Sequence, residues 1–265
     1  MSRSPSAVAT SVRARLARLA RERGDDVQLV LTRYVNERLL YRLATSPHAD
    51  RFVLKGAALF TLWTGQPHRA TRDLDLLGMG ESSEAHLREV FVEVLRVAID
   101  DDGIEFDVDA LEVEPIRDDQ AYGGVRVTTV ATITTARIRV QIDIGFGDAV
   151  TPSAELIDFP TLLDSPAPRL RAYPRETVVA EKVEAMVQLG MVNSRMKDFF
   201  DVLHLAQRFE FDGELLVRAL RATFERRRTV LPTGLPVALT PAFADDATKR
   251  TQWVAFVRKT GVAFA

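Results

Sequence analysis

The sequence predicts an α+β protein in which helices come first, a sheet follows, and helices return. Three observations carry this. Apolar residues recur at spacings of three and four through residues 8–46 and again after residue 175. β-Branched residues alternate with polar ones between 104 and 146. Pro152, Pro160, Pro166, Pro168 and Pro174 crowd the stretch between these two regimes. The 265 residues suffice for one large domain or two small ones. The proline-rich stretch divides them into 1–150, the sheet-bearing core with its leading helices, and 151–265, a helical domain.

The elements follow in order. Val12, Leu16 and Leu19 mark a first helix, and Leu29, Tyr34 and Leu40 continue the pattern past a turn at Gly24-Asp25-Asp26. Phe52-Val53-Leu54 reads as a short strand and 56–63 as a short helix, with a loop signal at Thr64-Gly65-Gln66-Pro67. Residues 71–76 form a strand if Leu74 and Leu76 anchor one face. An amphipathic helix is expected over 82–99, from Leu87, Val90, Phe91, Val94 and Leu95. Strands are expected over 104–116, 125–133 and 136–146. In the last of these, Ile138, Val140, Ile142, Ile144 and Phe146 share one face, while Arg137, Arg139, Gln141 and Asp143 share the other. Thr134-Thr135 sits near the hairpin turn. Residues 151–175 carry little pattern and read as a boundary. Helices follow over 176–189, with an apolar stripe of Val178, Val179, Val183, Met186 and Val187, and over 195–209, with Phe199, Val202, Leu203 and Ala206 toward the core. Residues 231–241 read as a loop.

Composition narrows the function. With 46% hydrophobic and 27% charged residues the chain is an ordinary globular one. No run approaches the ~20 apolar residues that span a bilayer, and the arginine-bearing N-terminus lacks the apolar core of a secretory leader. A cytoplasmic protein without a membrane partner is expected. There is no cysteine, and the four histidines form no His-x-x-x-His pair, which removes thiolate zinc sites and cysteine nucleophiles. Hard oxygen ligands remain. Residues 1–50 hold nine Arg against five acids, 81–119 hold fourteen acids against three Arg, and 215–265 hold nine Lys or Arg against three acids. Basic flanks suit contact with a polyanion, and equally suit solvated helix faces. Glu225-Arg226-Arg227-Arg228 is the densest basic run and a candidate phosphate-backbone contact.

The chemistry gathers at Thr71-Arg72-Asp73-Leu74-Asp75-Leu76. On a strand, Asp73 and Asp75 project to one face, and a divalent cation between them turns repulsion into binding. Taken alone, Asp-x-Asp more commonly marks a solvated strand or turn. Asp143, on the polar face of a nearby strand, supplies a third carboxylate, as a two-metal nucleotide site requires. Lys55-Gly56, between a strand and a helix, lets a phosphate approach the backbone. Lys182 lies at the edge of a buried helix face and needs an anion, either a phosphate or a structural partner in Asp198 or Asp201.

Together these residues resemble a known family. The order is Phe-Val-Leu-Lys-Gly at 52–56, a short helix, His-Arg-Ala-Thr-Arg-Asp-Leu-Asp at 68–75, a third aspartate at Asp143, Glu-Lys at 181–182, and Arg-Met-Lys-Asp-Phe-Phe-Asp at 195–201. This is similar to the AbiEii family of nucleotidyltransferase toxins of type IV toxin–antitoxin systems, which includes the mycobacterial MenT toxins. The resemblance implies a DNA polymerase β-like core with a mixed sheet. It implies Mg²⁺ or Mn²⁺ on Asp73, Asp75 and Asp143, and a nucleoside triphosphate as substrate. It makes Asp73, Asp75, Asp143, Lys182 and Asp198 the catalytic set, with nucleotide contacts from Lys55, Gly56, Thr71, Arg72, Lys182, Arg195, Lys197 and Asp201. Lys182 would neutralise the departing pyrophosphate. Ala57 stands where many members have serine, so Thr71 becomes either a substitute phosphate contact or a target of self-modification. The implied acceptor is the tRNA 3′ end, with translation blocked, and the implied partner is an antitoxin. Two other readings stay open: transfer to a protein or small molecule, and a non-catalytic protein that binds nucleic acid or antitoxin.

Overall fold

The computed structural model describes residues 6–65, 69, 71–116 and 123–260. The loop signal at Gln66-Pro67 and the His68 and Ala70 positions of the family pattern lie outside the described residues. The chain divides into two units, one comprising residues 1–147 and 156–172 and the other 148–155 and 173–265.

In the first unit, α1 (Ala7–Arg23) starts at Ser6, whose hydroxyl accepts from the Ala9 N–H. Asp26 caps α2 (Val27–Thr45) by accepting from Leu29 N–H. The sheet has seven strands: β1 (Phe52–Lys55), β2 (Leu74–Gly78), β3 (Glu105–Ile116), β4 (Gly124–Ile133), β5 (Ala136–Phe146), β6 (Glu155–Asp158) and β7 (Arg169–Ala172), in the order β3-β4-β5-β2-β1-β7-β6. It is mixed: β2 runs parallel to β5 and β1 parallel to β7, while β1–β2, β3–β4 and β4–β5 are antiparallel. Leu54, Leu74, Leu76, Val125, Val127, Ile138, Val140, Ile142 and Ile144 are buried, and α2 and α4 (Glu84–Leu95) pack with β5, β7 and β3. The short α3 (Ala58–Thr64) follows β1.

The stretch 151–175, read from sequence as a patternless boundary, is a correction. It contains β6 and β7, and β7 pairs with β1, so the sheet continues there. Strands of four residues interrupted by prolines are too short for alternation to show. The intervening loop is held by α2, a helix with an unusual buried polar side. The Arg42 guanidinium pairs with Asp102 at 2.6 Å, Arg38 donates to Pro166 O at 2.8 Å, and Glu37 accepts from Leu162 N–H at 2.7 Å. Burial pushes Glu37 up to about 7, with the Leu162 N–H and Arg38 opposing.

In the second unit, α5 (Arg175–Leu189), α6 (Met196–Arg208), α8 (Pro241–Ala244) and α9 (Ala247–Thr260) contribute to a core of Met186, Met196, Ala238 and Phe243, with Phe199, Val202, Trp253 and Phe256 against it, while α7 (Gly213–Arg227) packs on α5. The segment read as a loop at 231–241 includes a 3-10 turn at Val237–Leu239. Arg227, part of the run read as either a phosphate-backbone contact or a solvated helix end, is instead committed inside this unit. Its guanidinium reaches Glu184 at 2.8 Å, Asp148 at 3.1 Å and Glu181 at 3.6 Å, and Glu184 is fully buried.

Candidate active site

The site begins at the turn from β1 into α3. Gly56 has φ of +73°, and a methyl group added there would overlap the Asp75 carboxylate. Glycine is therefore required twice, for the left-handed backbone and for the close approach of that carboxylate.

Strand register then aligns five residues across the sheet. Glu114 of β3 faces Arg126 of β4, Arg126 faces Asp143 of β5, Asp143 faces Asp75 of β2, and Asp75 faces Lys55 of β1. Cross-strand partners share a face, with neighbouring strands ~4.8 Å apart. The polar face of the sheet thus carries a row of alternating charge interrupted by one like-charged pair, Asp75 and Asp143. Asp73 lies just before β2 begins and is exposed, as is Arg72, whose carbonyl accepts from Asn36 Nδ2 at 3.0 Å. Thr71 is half-buried.

Asp143 is fully engaged. Arg126 Nε donates to Oδ1 and Nη2 to Oδ2, each at 2.8 Å, and Gln141 Nε2 lies 3.3 Å from both oxygens. The Arg126 guanidinium is held further toward its charged form by its hydrogen bond to Asp143, against the cost of burial, with Asp73 and Glu114 adding to the field. Among the described residues no three His, Asp or Glu side chains gather as an ion cage by themselves. The donor chemistry nonetheless suits a hard cation. Two carboxylates are neighbours on one face, and the place beside Asp143 is taken by a positive charge, so that carboxylate is set up for a cationic partner.

The second unit has its own polar centre. Lys182 Nζ donates to Asp198 Oδ1 at 2.7 Å and Asp201 Oδ2 at 2.8 Å, and both aspartates are essentially fully buried. Arg195 approaches Asp198 Oδ2 at 2.7 Å. Burial alone would lower the Lys182 ammonium, but the two carboxylates outweigh it and its pKa is raised. Burial likewise disfavours the Asp198 anion, yet Lys182 and Arg195 hold that carboxyl below its ordinary range. Lys197 is exposed. The helix faces differ from expectation. In α6, Asp198 and Asp201 are buried while Leu203 is 40% exposed and Ala206 is exposed. Lys182 explains this, because a lysine on α5 draws both carboxylates inward.

Register thus brings Lys55, Asp75 and Asp143 into one row, with Gly56 against Asp75. In the second unit, Lys182, Asp198, Asp201 and Arg195 form the other group. Sequence reasoning missed Arg126, although a signal existed. Arg126 and Asp143 stand equally far from the Thr134-Thr135 turn, so a two-residue hairpin places them opposite each other.

The fold is an α+β one whose mixed sheet carries paired carboxylates beside a glycine turn. The chain belongs to the AbiEii family, described as nucleotidyl transferase AbiEii toxin of a type IV toxin–antitoxin system, whose model matches residues 38–263. It is therefore a transferase of the toxin class, and the family implies a nucleoside triphosphate substrate, a divalent metal and an antitoxin partner. JHP933 from Helicobacter pylori is similar over 86% of this chain and 94% of its own, at 17% identity and a TM-score of 0.45. A candidate nucleotidyltransferase from H. pylori is similar over 86% and 96%, at 17% identity and a TM-score of 0.44. No curated protein sequence matches the chain. No helix among the described residues is long and apolar enough to cross a membrane.

Proposed function

We propose that the protein transfers a nucleotidyl group from a nucleoside triphosphate to the 3′-terminal hydroxyl of tRNA, blocking translation. The acceptor oxygen forms a bond to the α-phosphorus, the bond from that phosphorus to the bridging oxygen breaks, and pyrophosphate leaves. The observation that carries this reading is the in-register pair Asp75–Asp143 on one face of the sheet, against the glycine turn at Gly56. Asp73, Asp75 and Asp143 would hold Mg²⁺ or Mn²⁺. When bound, such a cation neutralises triphosphate charge and favours the ionised acceptor oxygen.

The chain's own residues do the rest. Asp143 takes up the acceptor proton. Gly56 leaves room for the Asp75 carboxylate against the turn, and Lys55, Thr71 and the backbone of the turn contribute phosphate contacts. In the second unit Lys182 supplies positive charge to phosphate, with Asp198 and Asp201 fixing its position. A nucleic-acid acceptor is favoured by Arg137 and Arg139, which are exposed on the same face of β5 as Asp143. Acidic residues on the outer strand, Glu105, Asp107, Glu112 and Glu114, confine that basic lane to β5. Incubation with each α-labelled triphosphate, Mg²⁺, total tRNA and total protein tests the proposal. Label in tRNA that disappears with Asp75→Asn supports it, and label confined to protein overturns the tRNA assignment.

A further inference from the structure

Arg126 has no role in the reading above, yet it makes a two-bond contact with Asp143 on the sheet face. A carboxylate offers about four lone-pair sites. Arg126 occupies two of those on Asp143 in the two-pronged geometry that only a guanidinium supplies, and Gln141 lies against both oxygens. The pair is half-buried, with side chains 33% and 23% exposed. Asp143 therefore meets a divalent cation with both of its oxygens already paired to a guanidinium. Asp73 and Glu114, the latter its register partner on β3, add to the attraction on the guanidinium. Loss of its place at Asp143 has to be compensated by a new anion.

We propose that Arg126 is a positioning residue that serves as the internal counter-ion of Asp143 in the nucleotide-free enzyme, is displaced by the divalent cation, and then pairs with the triphosphate that accompanies it. This rests on the reading of Asp143 as part of the metal and nucleotide site. Its consequence is a coupling between ligands. Metal alone must separate Arg126 from Asp143 with nothing to receive the guanidinium, so bare metal binds weakly. Nucleotide brings a replacement anion, so metal and nucleotide bind cooperatively. The arrangement also weakens the hold of two adjacent carboxylates on a metal ion in the absence of substrate.

Mn²⁺ binding to the purified protein, followed by electron paramagnetic resonance with and without a non-hydrolysable triphosphate analogue, tests this. Arg126→Ala should bind Mn²⁺ alone about tenfold more tightly than the unaltered protein, the scale expected for removing hydrogen bonds to a charged group. It should also lose most of the enhancement that the analogue confers. A purely structural role for Arg126 would give weaker Mn²⁺ binding, the opposite sign. If Arg126→Ala fails to fold, Arg126→Lys carries the test, with a smaller tightening expected from a single-point cation. Unchanged or weaker Mn²⁺ binding in the Arg126 variants, while Asp75→Asn abolishes it, overturns the counter-ion role and leaves the active-site reading standing. Mn²⁺ binding that is indifferent to both Asp75→Asn and Asp143→Asn overturns both.

Discussion

Asp75 and Asp143 are direct register partners on the parallel strands β2 and β5, although most of the sheet's chain is threaded between them. Like charges opposite each other on one face are unfavourable, and Lys55 opposite Asp75 and Arg126 opposite Asp143 offset this cost; in the proposed function the pair holds a cation. Asp75→Asn should leave the melting temperature unchanged or raise it, and should lower nucleotidyl transfer by about 10³-fold or more, the scale seen when an electrostatic contact to the transition state is removed. Thermal melts and label transfer on the same preparation check both halves. Reduced transfer together with a large drop in melting temperature would instead make Asp75 a structural residue.

Gly56→Ala should damage both folding and activity. The left-handed backbone alone costs about 1–2 kcal/mol for a residue with a side chain, and the added methyl would press on the Asp75 carboxylate. Urea unfolding should show a stability loss of at least that size. Ala57→Gly, one residue further on at φ of −72°, carries no comparable requirement and serves as the control.

Lys182→Met leaves Asp198 and Asp201 buried beside no ammonium. Breaking a buried pair in this way typically costs about 3–5 kcal/mol. Adding Asp198→Asn and Asp201→Asn to that variant should recover much of the stability without restoring transfer. If the triple variant regains activity, Lys182 serves the fold alone.

Most of the fold was legible because its elements follow simple periods. Both N-terminal helices, the β5 alternation and the Thr134-Thr135 hairpin are written in spacing that one residue cannot shift without moving an entire apolar face. Strands β6 and β7 were not legible, because four residues between prolines show no period, and β7 depends on β1 for its partner while β6 depends on β7. The α6 faces were misassigned for a different reason. Apolar spacing favoured Leu203 and Ala206 as buried, whereas Lys182 on another helix decides that Asp198 and Asp201 go inward. Arg126 escaped notice because its meaning is relational: nothing marks it within β4, and only the hairpin register sets it against Asp143.

Stability should fall as pH rises toward neutrality and beyond, through Glu37. Its folded pKa, about 7, lies above the ordinary 4.5. The native state therefore holds more protons than the unfolded chain between those values. The contribution is fully present below pH 4.5 and is lost as pH passes through 7, by on the order of 3 kcal/mol. Glu37→Gln should flatten this slope, since the amide stays neutral and its oxygen can still accept from Leu162 N–H. Urea titrations at pH 5 and pH 8 measure the difference, and an unchanged slope in the variant would place the pH dependence elsewhere.

The most direct test follows which phosphorus moves. Protein, Mg²⁺, acceptor RNA and a triphosphate labelled at either the α or the γ position are incubated together, with Asp75→Asn in parallel. Nucleotidyl transfer predicts α-label joined to the RNA, γ-label released as pyrophosphate, and neither change with the variant. Label from the γ position appearing on the acceptor, or α-label transfer that survives Asp75→Asn, would contradict it.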